Sequence, residues 1–302
     1  MDEGKVASAG AQYLKNYSSE YPKVLFHCHV FPVDPKSFPP DPATGVSPGT
    51  MRHLCALARE LGFDSVTAVS PNEVPPGRGT ARIDEDKDGP GWLLNEAQGH
   101  AEVMLFASLN PEDRRSPDRL IKAHRDGFTG VKFHPFIGRF AVDADRDRAF
   151  YEVLDGLRMP LLIHTGIVPH YQPWPIEKHH PFRIDALACK FPGIPIIVAH
   201  GGGRPFCREV LAVLQSNENT YLDLTHVLDR KYAWHIPADD LQAFFDQIGP
   251  SRIMYGTDYP WYRSDDLTRD LAYLRGLGVD KKAMDLLLGG TFVRVAAQVQ
   301  GR

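Results

Sequence analysis

Short apolar runs alternate with amphipathic runs along the whole chain. The apolar runs are rich in Val, Ile, Leu and Phe, which is typical of buried parallel strands. The runs between them have helical spacing, as in Leu54, Leu57, Ala58 and Leu61. Eight strands are predicted, near residues 23–29, 65–70, 102–108, 130–134, 160–165, 194–200, 220–225 and 252–257. Alternating strands and helices favour a parallel α/β sheet, and eight such units predict a single (β/α)8 TIM barrel.

Connection lengths distinguish the two ends of this predicted barrel. Helix-to-strand connections are short, as at Arg158-Met-Pro160. Strand-to-helix connections are long and rich in Pro, Gly and aromatic residues, as from Gly166 to Phe182. Catalytic residues of barrel enzymes lie on the strand-to-helix side. We therefore expect one catalytic barrel domain over residues 23–302, preceded by an N-terminal extension over residues 1–22.

Composition narrows the classes of partner. The chain has 302 residues, is 43% hydrophobic and carries a formal charge of −4, which gives no support for nucleic acid or a membrane surface as a partner. Neither a signal peptide nor a transmembrane run is indicated, and four cysteines without paired spacing favour a reducing cytoplasm. The expected partner is a small-molecule substrate. The oligomeric state stays open, with a homodimer as one alternative.

Several predicted strands end in side chains of the type that bind metals. His27 and His29 are two residues apart and therefore share the face toward the barrel interior, and His164, His200 and Asp258 end three further strands. Burying these groups around one lumen without a partner would cost several kcal/mol. A divalent cation would remove that penalty. The set suits Zn²⁺ with water in an open position, and Mn²⁺ or Fe²⁺ is also compatible.

Other polar and aromatic residues are candidates for substrate binding. Lys132 and His134 share the interior face of the fourth predicted strand. Arg204 follows three glycines, and its guanidinium would suit a carboxylated substrate. Trp174 and Trp261 are candidates for an aromatic wall at the mouth. Further candidates in the same loops are Phe31, Arg52, Arg139, His170, His179, His180, Tyr259 and Arg263.

Five motifs together resemble the amidohydrolase superfamily. They are His27-Cys-His29, Gly130-Val-Lys-Phe-His-Pro135, Ile163-His-Thr-Gly166, Val198-Ala-His-Gly-Gly-Gly203 and Tyr255-Gly-Thr-Asp-Tyr-Pro260. Within the superfamily the resemblance is to the branch of metal-dependent hydrolases that also contains aminocarboxymuconate-semialdehyde-type decarboxylases. It extends from residue 23 to about residue 295. It is specific for the superfamily and leaves the substrate open.

The resemblance implies a role for each motif residue. His27, His29, His164 and Asp258 would bind the metal, His200 would polarise the substrate or the metal-activated water, and Asp258 would also carry a proton. Lys132 has three alternative roles: a carboxylated bridge between two metals, an ammonium that contacts a substrate carboxylate, or a structural hydrogen-bond donor.

The implied activity is hydrolysis of a small, carboxylated or cyclic amide, imide or lactone by metal-activated water. The alternative is a metal-dependent, non-oxidative decarboxylase of an aromatic or muconate-like acid. A barrel that binds a ligand without turnover is less favoured, because the ligand and base positions all carry competent residues. Hydrolysis of a lactone without any metal is a further variant, since some relatives work in this way.

Overall fold

The computed structural model describes residues 12–42, 44–74, 83–84, 88–168, 174–261 and 264–299. The candidates His170 and Arg263, together with residues 1–11 of the proposed N-terminal extension, lie outside these ranges. Among the described residues, no helix combines the length and the apolar character needed to cross a membrane.

A parallel sheet forms the centre of the molecule. Each predicted strand is confirmed to within a few residues, although the eighth is divided in two. In chain order the strands are β1 (Val24–His29), β2 (Ser65–Val69), β3 (Val103–Ser108), β4 (Gly130–Phe133), β5 (Leu161–His164), β6 (Ile196–Ala199), β7 (Thr220–Asp223), β8 (Ile253–Met254) and β9 (Gly256–Tyr259). A small parallel pair, Glu73–Val74 with Ile83–Asp84, lies in the loop after β2 and was not indicated by the sequence.

Helices follow the strands and surround them. They are α1 (Met51–Leu61), α2 (Gly89–Glu96), α3 (Ser116–Arg125), α4 (Pro135–Gly138), α5 (Arg148–Leu157), α6 (Phe182–Lys190), α7 (Gly203–Ser216), α8 (Ala238–Ile248), α9 (Ser264–Gly276), α10 (Lys281–Asp285) and α11 (Thr291–Ala296). Short 3₁₀ turns cover Asp145–Asp147, Ile176–Lys178, His200–Gly202 and Pro250–Arg252, and a π-helical turn covers Leu286–Gly290. This is the (β/α)8 TIM barrel that the sequence predicted.

The barrel closes through its divided eighth strand. The spatial order of the strands is β8–β7–β6–β5–β4–β3–β2–β1–β9, and all neighbouring pairs are parallel. β8 pairs with β7, and β9 pairs with β1. Only Tyr255 separates the two halves, and its backbone N–H donates to Leu287 instead of to a neighbouring strand. One stretch of chain therefore joins both edges of the sheet.

Two apolar clusters lie on opposite sides of the barrel wall. The inner cluster fills the barrel interior and contains Val24, Phe26, Val69, Phe106, Leu162, Ile197, Ala199, Met254, Phe292 and Val295. Phe292 and Val295 belong to α11, so this helix supplies part of the interior packing. The outer cluster lies between the strands and the surrounding helices and includes Leu54, Leu120, Leu154 and Val210. Burial on both faces explains why the strands read as continuous apolar runs.

Helix α1 shows how the local sequence sets the element boundaries. The Thr50 side chain accepts a hydrogen bond from the backbone N–H of His53 and caps the first turn. Gly62 ends the helix with a φ of 84°, a left-handed conformation that glycine adopts without strain. Between these two caps, the buried face of the helix carries the predicted residues Leu54, Ala58 and Leu61.

The described part of the proposed N-terminal extension packs against the barrel. Residues 12–16 are helical, and Leu14 is completely buried in the outer cluster. The Lys23 ammonium donates to the backbone oxygen of Leu14 at 2.7 Å. These contacts attach residues 12–22 to the start of β1.

Candidate active site

A cavity of about 380 Å³ opens at the carboxyl-terminal ends of the strands. It is lined by residues from several loops and strand ends: His29, Asn72, Lys132, His134, His164, Val168, His226, Tyr232, Ala233, Trp234, Asp258 and Trp261. Six of these are predicted from the sequence to bind the metal or the substrate, namely His29, Lys132, His134, His164, Asp258 and Trp261. The convergence of distant strand ends on one cavity is the arrangement expected of a barrel enzyme.

Asp258 lies at the centre of the polar cluster. Its Oδ1 is 3.0 Å from His29 Nε2 and 3.5 Å from His27 Nε2, and its Oδ2 is 3.5 Å from His226 Nε2. Burial raises the pKa of this carboxyl, but the hydrogen bonds from His226 and His29 outweigh burial and hold the pKa well below its ordinary value. Asp258 is therefore an ionised carboxylate, which can accept a proton.

His27 is completely buried and has a polar partner at each ring nitrogen. Its Nδ1 is 2.6 Å from Asp223 Oδ2, and its Nε2 is 2.8 Å from Lys132 Nζ. Burial, followed by the Lys132 charge, holds the pKa of His27 well below its ordinary value, so the ring is neutral. A neutral ring between these partners donates from Nδ1 to Asp223 and accepts at Nε2. The Nε2 lone pair is therefore directed at Lys132 Nζ, and Asp258 Oδ1 lies 3.5 Å from the same nitrogen.

His200 is oriented by a backbone carbonyl. Its Nδ1 lies 3.0 Å from the oxygen of Thr225, which can only accept, so Nδ1 carries the proton and Nε2 has the free lone pair. Burial lowers the pKa of His200 to about 3, which keeps the ring neutral. One potential ligand atom from each of His27, His200 and Asp258 lies within 4.8 Å of the others. These three side chains can contact one ion.

His164 lies beside this group. Its ring stacks on His134 with the centroids 3.8 Å apart, and its centroid is 4.7 Å from that of His200. Its Nε2 is buried without a hydrogen-bond partner among the described residues. Since an unpaired buried nitrogen is unfavourable, this atom suits a ligand that is not part of the protein chain.

Lys132 is the buried cation of the cluster. It is 1% exposed, and burial lowers the pKa of its ammonium to about 8. Its contact with His27 Nε2 uses the lone pair that a metal would also use. A single cation, ammonium or metal, can occupy that lone pair at one time.

The backbone is left-handed at four residues of this cluster. The φ angles are 56° at His27, 60° at His200, 60° at His226 and 56° at Asp258. A left-handed conformation costs a residue with a Cβ roughly 1–2 kcal/mol. Such strain concentrates at functional sites, where the surrounding packing holds it in place. At His27 it coincides with an irregular register between β1 and both of its neighbours.

The absence of a side chain at Gly256 allows the second carboxylate, Asp223, to approach the cluster. A Cβ built on Gly256 would lie 2.2 Å from Thr225 Oγ1 and 2.5 Å from Asp223 Oδ1, closer than such atoms can pack. Asp223 Oδ1 also accepts from Thr225 Oγ1 at 2.6 Å. These contacts fix the carboxylate that orients His27.

Aromatic rings form much of the cavity wall. The Trp234 ring is 4.5 Å from that of His200 and 5.4 Å from that of His164, and its Nε1 donates to the backbone of Ile167. Trp261 contacts His29 edge to face at 5.6 Å and is 52% exposed, so it lies at the mouth.

Two predicted substrate contacts lie outside the cavity wall. Arg204 is exposed at the start of α7. Trp174 is partly buried, and the Arg139 guanidinium lies over its ring at 5.7 Å. Neither residue lines the cavity.

Sequence reasoning missed Asp223, His226, Tyr232 and Trp234. Asp223 ends β7 as His164 ends β5, so the rule that found the other strand-end ligands could also have found Asp223. His226 follows three residues later in the same loop. Tyr232 and Trp234 lie in the irregular connection between β7 and α8, where no sequence period reveals their direction.

The model of the Amidohydrolase family matches residues 24–295. No curated protein sequence matches the chain. Among solved structures, a probable 2-pyrone-4,6-dicarboxylic acid hydrolase from Acinetobacter baumannii with citric acid bound is 14% identical, with a TM-score of 0.63 over 92% of this chain and 100% of that one.

Two further structures have the same barrel. An amidohydrolase from Burkholderia multivorans with bound zinc is 15% identical, with a TM-score of 0.64 over 92% of this chain and 99% of that one. A 2,6-dihydroxybenzoate decarboxylase from Rhizobium is 14% identical, with a TM-score of 0.67 over 91% of this chain and 98% of that one. At such low identity the likeness establishes a shared fold.

Proposed function

Because the chain belongs to the amidohydrolase family, we propose that it is a metal-dependent hydrolase of a small, carboxylated or cyclic amide, imide or lactone. The observation that carries this proposal is the Asp258 carboxylate, which the imidazoles of His29 and His226 keep ionised at the floor of the cavity. Hydrolysis needs a base that accepts a proton from water. An ionised carboxylate is such a base.

The side chains present fit a divalent metal. His164 Nε2 is buried without a partner among the described residues, and the hydrogen bond at Nδ1 of His200 leaves its Nε2 lone pair available. Asp223 directs Nε2 of His27 into the cluster, where a metal would have to displace the Lys132 ammonium from it. Imidazole and carboxylate ligands suit Zn²⁺ and also Mn²⁺ or Fe²⁺. We take His27, His29, His164 and Asp258 as the ligands that the family resemblance implies, and His200 is close enough to join them. The bound zinc in the Burkholderia multivorans amidohydrolase supports the same choice.

When bound, the metal would supply a Lewis acid that polarises the substrate and makes water easier to deprotonate. Asp258 would accept the proton of the attacking water at Oδ1 or Oδ2 and later deliver it to the leaving group. Asp223 would keep the tautomer of His27 fixed through Nδ1. His200, neutral and with its Nδ1–H held by Thr225, would polarise the attacking water by accepting a hydrogen bond from it at Nε2.

Substrate would lie between the polar floor and the aromatic wall. Lys132 and His134 line the floor side of the cavity and would contact a substrate carboxylate. Trp234 and Trp261 would flank a flat ring. The name of the Acinetobacter baumannii relative, a probable hydrolase of a pyrone dicarboxylic acid, supports a cyclic and carboxylated substrate.

Decarboxylation of an aromatic or muconate-like acid is the second candidate. The rings of Tyr232, Trp234 and Trp261 in the cavity wall favour a planar acid, and the fold is shared with a 2,6-dihydroxybenzoate decarboxylase. Decarboxylation must end with delivery of a proton to carbon. Asp258, once protonated, would deliver that proton, as it would deliver one to the leaving group in hydrolysis.

A paired substrate panel separates the two reactions. The metal-loaded protein is incubated with carboxylated lactones and amides, and separately with hydroxylated benzoic acids, while acid release and carbon dioxide release are both recorded. We expect acid release from the first group. Carbon dioxide release without any acid release would overturn hydrolysis in favour of decarboxylation, and activity unaffected by complete chelation would overturn the metal requirement.

The role of His200 is tested by substitution with alanine and measurement of metal content beside turnover. We expect His200→Ala to lower turnover by about 10²-fold or more while bound metal is retained. Loss of the metal together with the activity would instead make His200 a ligand. His180→Ala, at a partly exposed position outside the cavity wall, is the control.

A further inference from the structure

A second group of ligand-type side chains comes together outside the catalytic cavity. Cys55 lies in the middle of α1, and His100 and Glu102 lie just before β3. One sulfur, nitrogen or oxygen atom from each of the three lies within 4.8 Å of the others. The backbone oxygen of Glu102 accepts from Val66 at the start of β2. The group is therefore at the amino-terminal ends of the strands, whereas the catalytic cavity is at the carboxyl-terminal ends.

These three atoms form a ligand set for a thiophilic divalent cation. Thiolate, imidazole and carboxylate are the protein groups that bind Zn²⁺. Tetrahedral coordination with bonds of 2.0–2.3 Å places ligand atoms about 3.3–3.8 Å apart. His100 Nδ1 is already 3.6 Å from Glu102 Oε1, and the Cys55 thiol is hydrogen-bonded to Glu102.

The ligands differ in their freedom to adjust. Cys55 is completely buried, so the position of its sulfur is fixed by the packing of α1. The side chains of His100 and Glu102 are each 27% exposed and follow a turn, so small rotations can bring them closer. They also leave an approach from solvent for an ion. The site thus combines one rigid ligand with two adjustable ones.

Arg59 is the present cationic partner of Glu102. Its NH1 lies 3.1 Å from Glu102 Oε1, and its side chain is 65% exposed. An exposed ion pair of this kind contributes little to stability, because water screens it. Arg59 can therefore turn into solvent at little cost when another cation takes its place.

We propose that Cys55, His100 and Glu102 bind a divalent cation of the Zn²⁺ class, with water completing the coordination, at a site separate from the catalytic centre. As the metal–sulfur bond forms, the Cys55 thiol loses its proton to solvent, His100 binds as the neutral imidazole and Glu102 binds as the carboxylate. Binding therefore releases about one proton and strengthens as the pH rises. The ion would connect helix α1 to the start of strand β3.

Absorption spectroscopy with Co²⁺ tests the proposal, because sulfur coordination gives charge-transfer bands in the near ultraviolet that nitrogen and oxygen ligands do not give. The full-length protein is stripped of metal by chelation, dialysed and titrated with Co²⁺ alone. The catalytic cluster offers nitrogen and oxygen atoms, so its own loading does not produce this band. We expect the band to saturate at one equivalent per chain for this site and to disappear when Zn²⁺ is added.

Variants assign the band to its ligands. Cys55→Ser should abolish it, whereas Cys189→Ser, which changes an exposed cysteine distant from any such cluster, should leave it unchanged. His100→Ala should weaken Co²⁺ binding at this site by at least about tenfold. Asp258→Asn should retain the band, since it alters only the catalytic centre.

His100→Ala also keeps the test decisive if the buried Cys55→Ser variant fails to fold, because His100 is partly exposed and its loss should leave the metal-free protein folded. Absence of the band in the wild-type protein would overturn the proposal. Persistence of the band with unchanged affinity in a folded His100→Ala variant would overturn it as well.

Discussion

The barrel interior has two halves with different side chains. The lower half is the inner apolar cluster, and the upper half is the polar cluster around Asp258. In the lower half, Phe26, Phe106 and Phe292 pack with ring centroids 4.9–6.1 Å apart and belong to an apolar cluster on regular strands and α11. In the upper half, the strand ends carry imidazoles and carboxylates on left-handed backbone. The lower half removes apolar surface from water. The upper half holds polar groups away from water in a conformation that the chain would not adopt alone.

This contrast separates stability from chemistry within one lumen. The lower cluster can be replaced by other apolar residues of similar volume, since only shape and apolar area matter there. The upper cluster depends on which atom of each ring faces which partner, as at His27 between Asp223 and Lys132. Substitutions in the two halves should therefore damage different properties of the protein.

The largest effect on activity is expected from Asp258→Asn. The amide cannot accept the proton of water, so we expect turnover to fall by about 10³-fold or more while the fold is retained. Circular dichroism and thermal unfolding provide the control for folding. Wild-type turnover in the folded variant would show that Asp258 takes no part in the reaction. The proposed difference between the two halves would then be wrong.

Phe106→Ala should show the opposite pattern. Phe106 is completely buried in the lower cluster, and removal of its ring should lower the free energy of unfolding by about 3–5 kcal/mol. Turnover per folded molecule should change little. Chemical denaturation measures the loss, and Phe106→Leu should be milder because it retains more of the volume. A loss of turnover in Phe106→Ala without loss of stability would show that the two halves are coupled.

Asp223→Asn tests whether the carboxylate that orients His27 contributes to metal binding and turnover. The amide can present its NH₂ group to His27 Nδ1 and favour the wrong tautomer, so we expect metal affinity or turnover to fall by roughly 10–100-fold. Isothermal titration with Zn²⁺ and steady-state kinetics measure the two quantities. Asp240→Asn is a matched control, because Asp240 pairs with the exposed Arg208 and does not line the cavity. Equal behaviour of the two variants would remove Asp223 from the site.

The smallest effect is expected for Asp270→Asn, which lies on α9 outside the barrel wall. Asp270 Oδ2 accepts from the hydroxyl of Tyr255, the residue that divides the eighth strand. Burial raises the pKa of Asp270 to about 7, so between about pH 4 and pH 7 the folded protein binds a proton that the unfolded chain does not. Its contribution to stability is present at low pH and is lost as the pH rises to about 7.

Asparagine does not titrate, so the Asp270→Asn variant should lose less stability over this interval than the wild type. Denaturation at pH 4.5 and at pH 7.5 for both proteins gives the comparison. Equal changes in the two proteins would show that Asp270 does not titrate in this range.

The sequence was sufficient to predict the barrel because parallel strands buried on both faces leave a strong and local signal. It also predicted that His27 and His29 share one face, and both lie close to Asp258. Regular strand alternation alone does not explain why His27 and His29 face the interior. Val24 and Phe26 also face the interior, so regular alternation from them would turn His27 outward. The left-handed turn at His27 shifts the alternation by one residue, and only the contacts with neighbouring strands maintain it.

The residues of the cavity wall are harder to predict from the sequence. Trp261 was expected and lies at the mouth, but Trp234 takes this role at the opposite side and came from a connection without periodicity. Its position depends on contacts with Gly203 and Ile167, which are distant from it along the chain. The neighbours of Arg204 in the sequence favour a role in substrate binding, yet Arg204 is exposed and lies outside the cavity wall.

The positive φ angles at His27, His200, His226 and Asp258 have a consequence for any attempt to improve this protein by laboratory evolution. Glycine would relieve the backbone strain at each of these positions. A screen that selects only for thermal stability would therefore favour substitutions that remove the catalytic side chains. Thermostable variants should therefore be selected for turnover at the same time, because selection for stability alone would yield a more stable but inactive barrel.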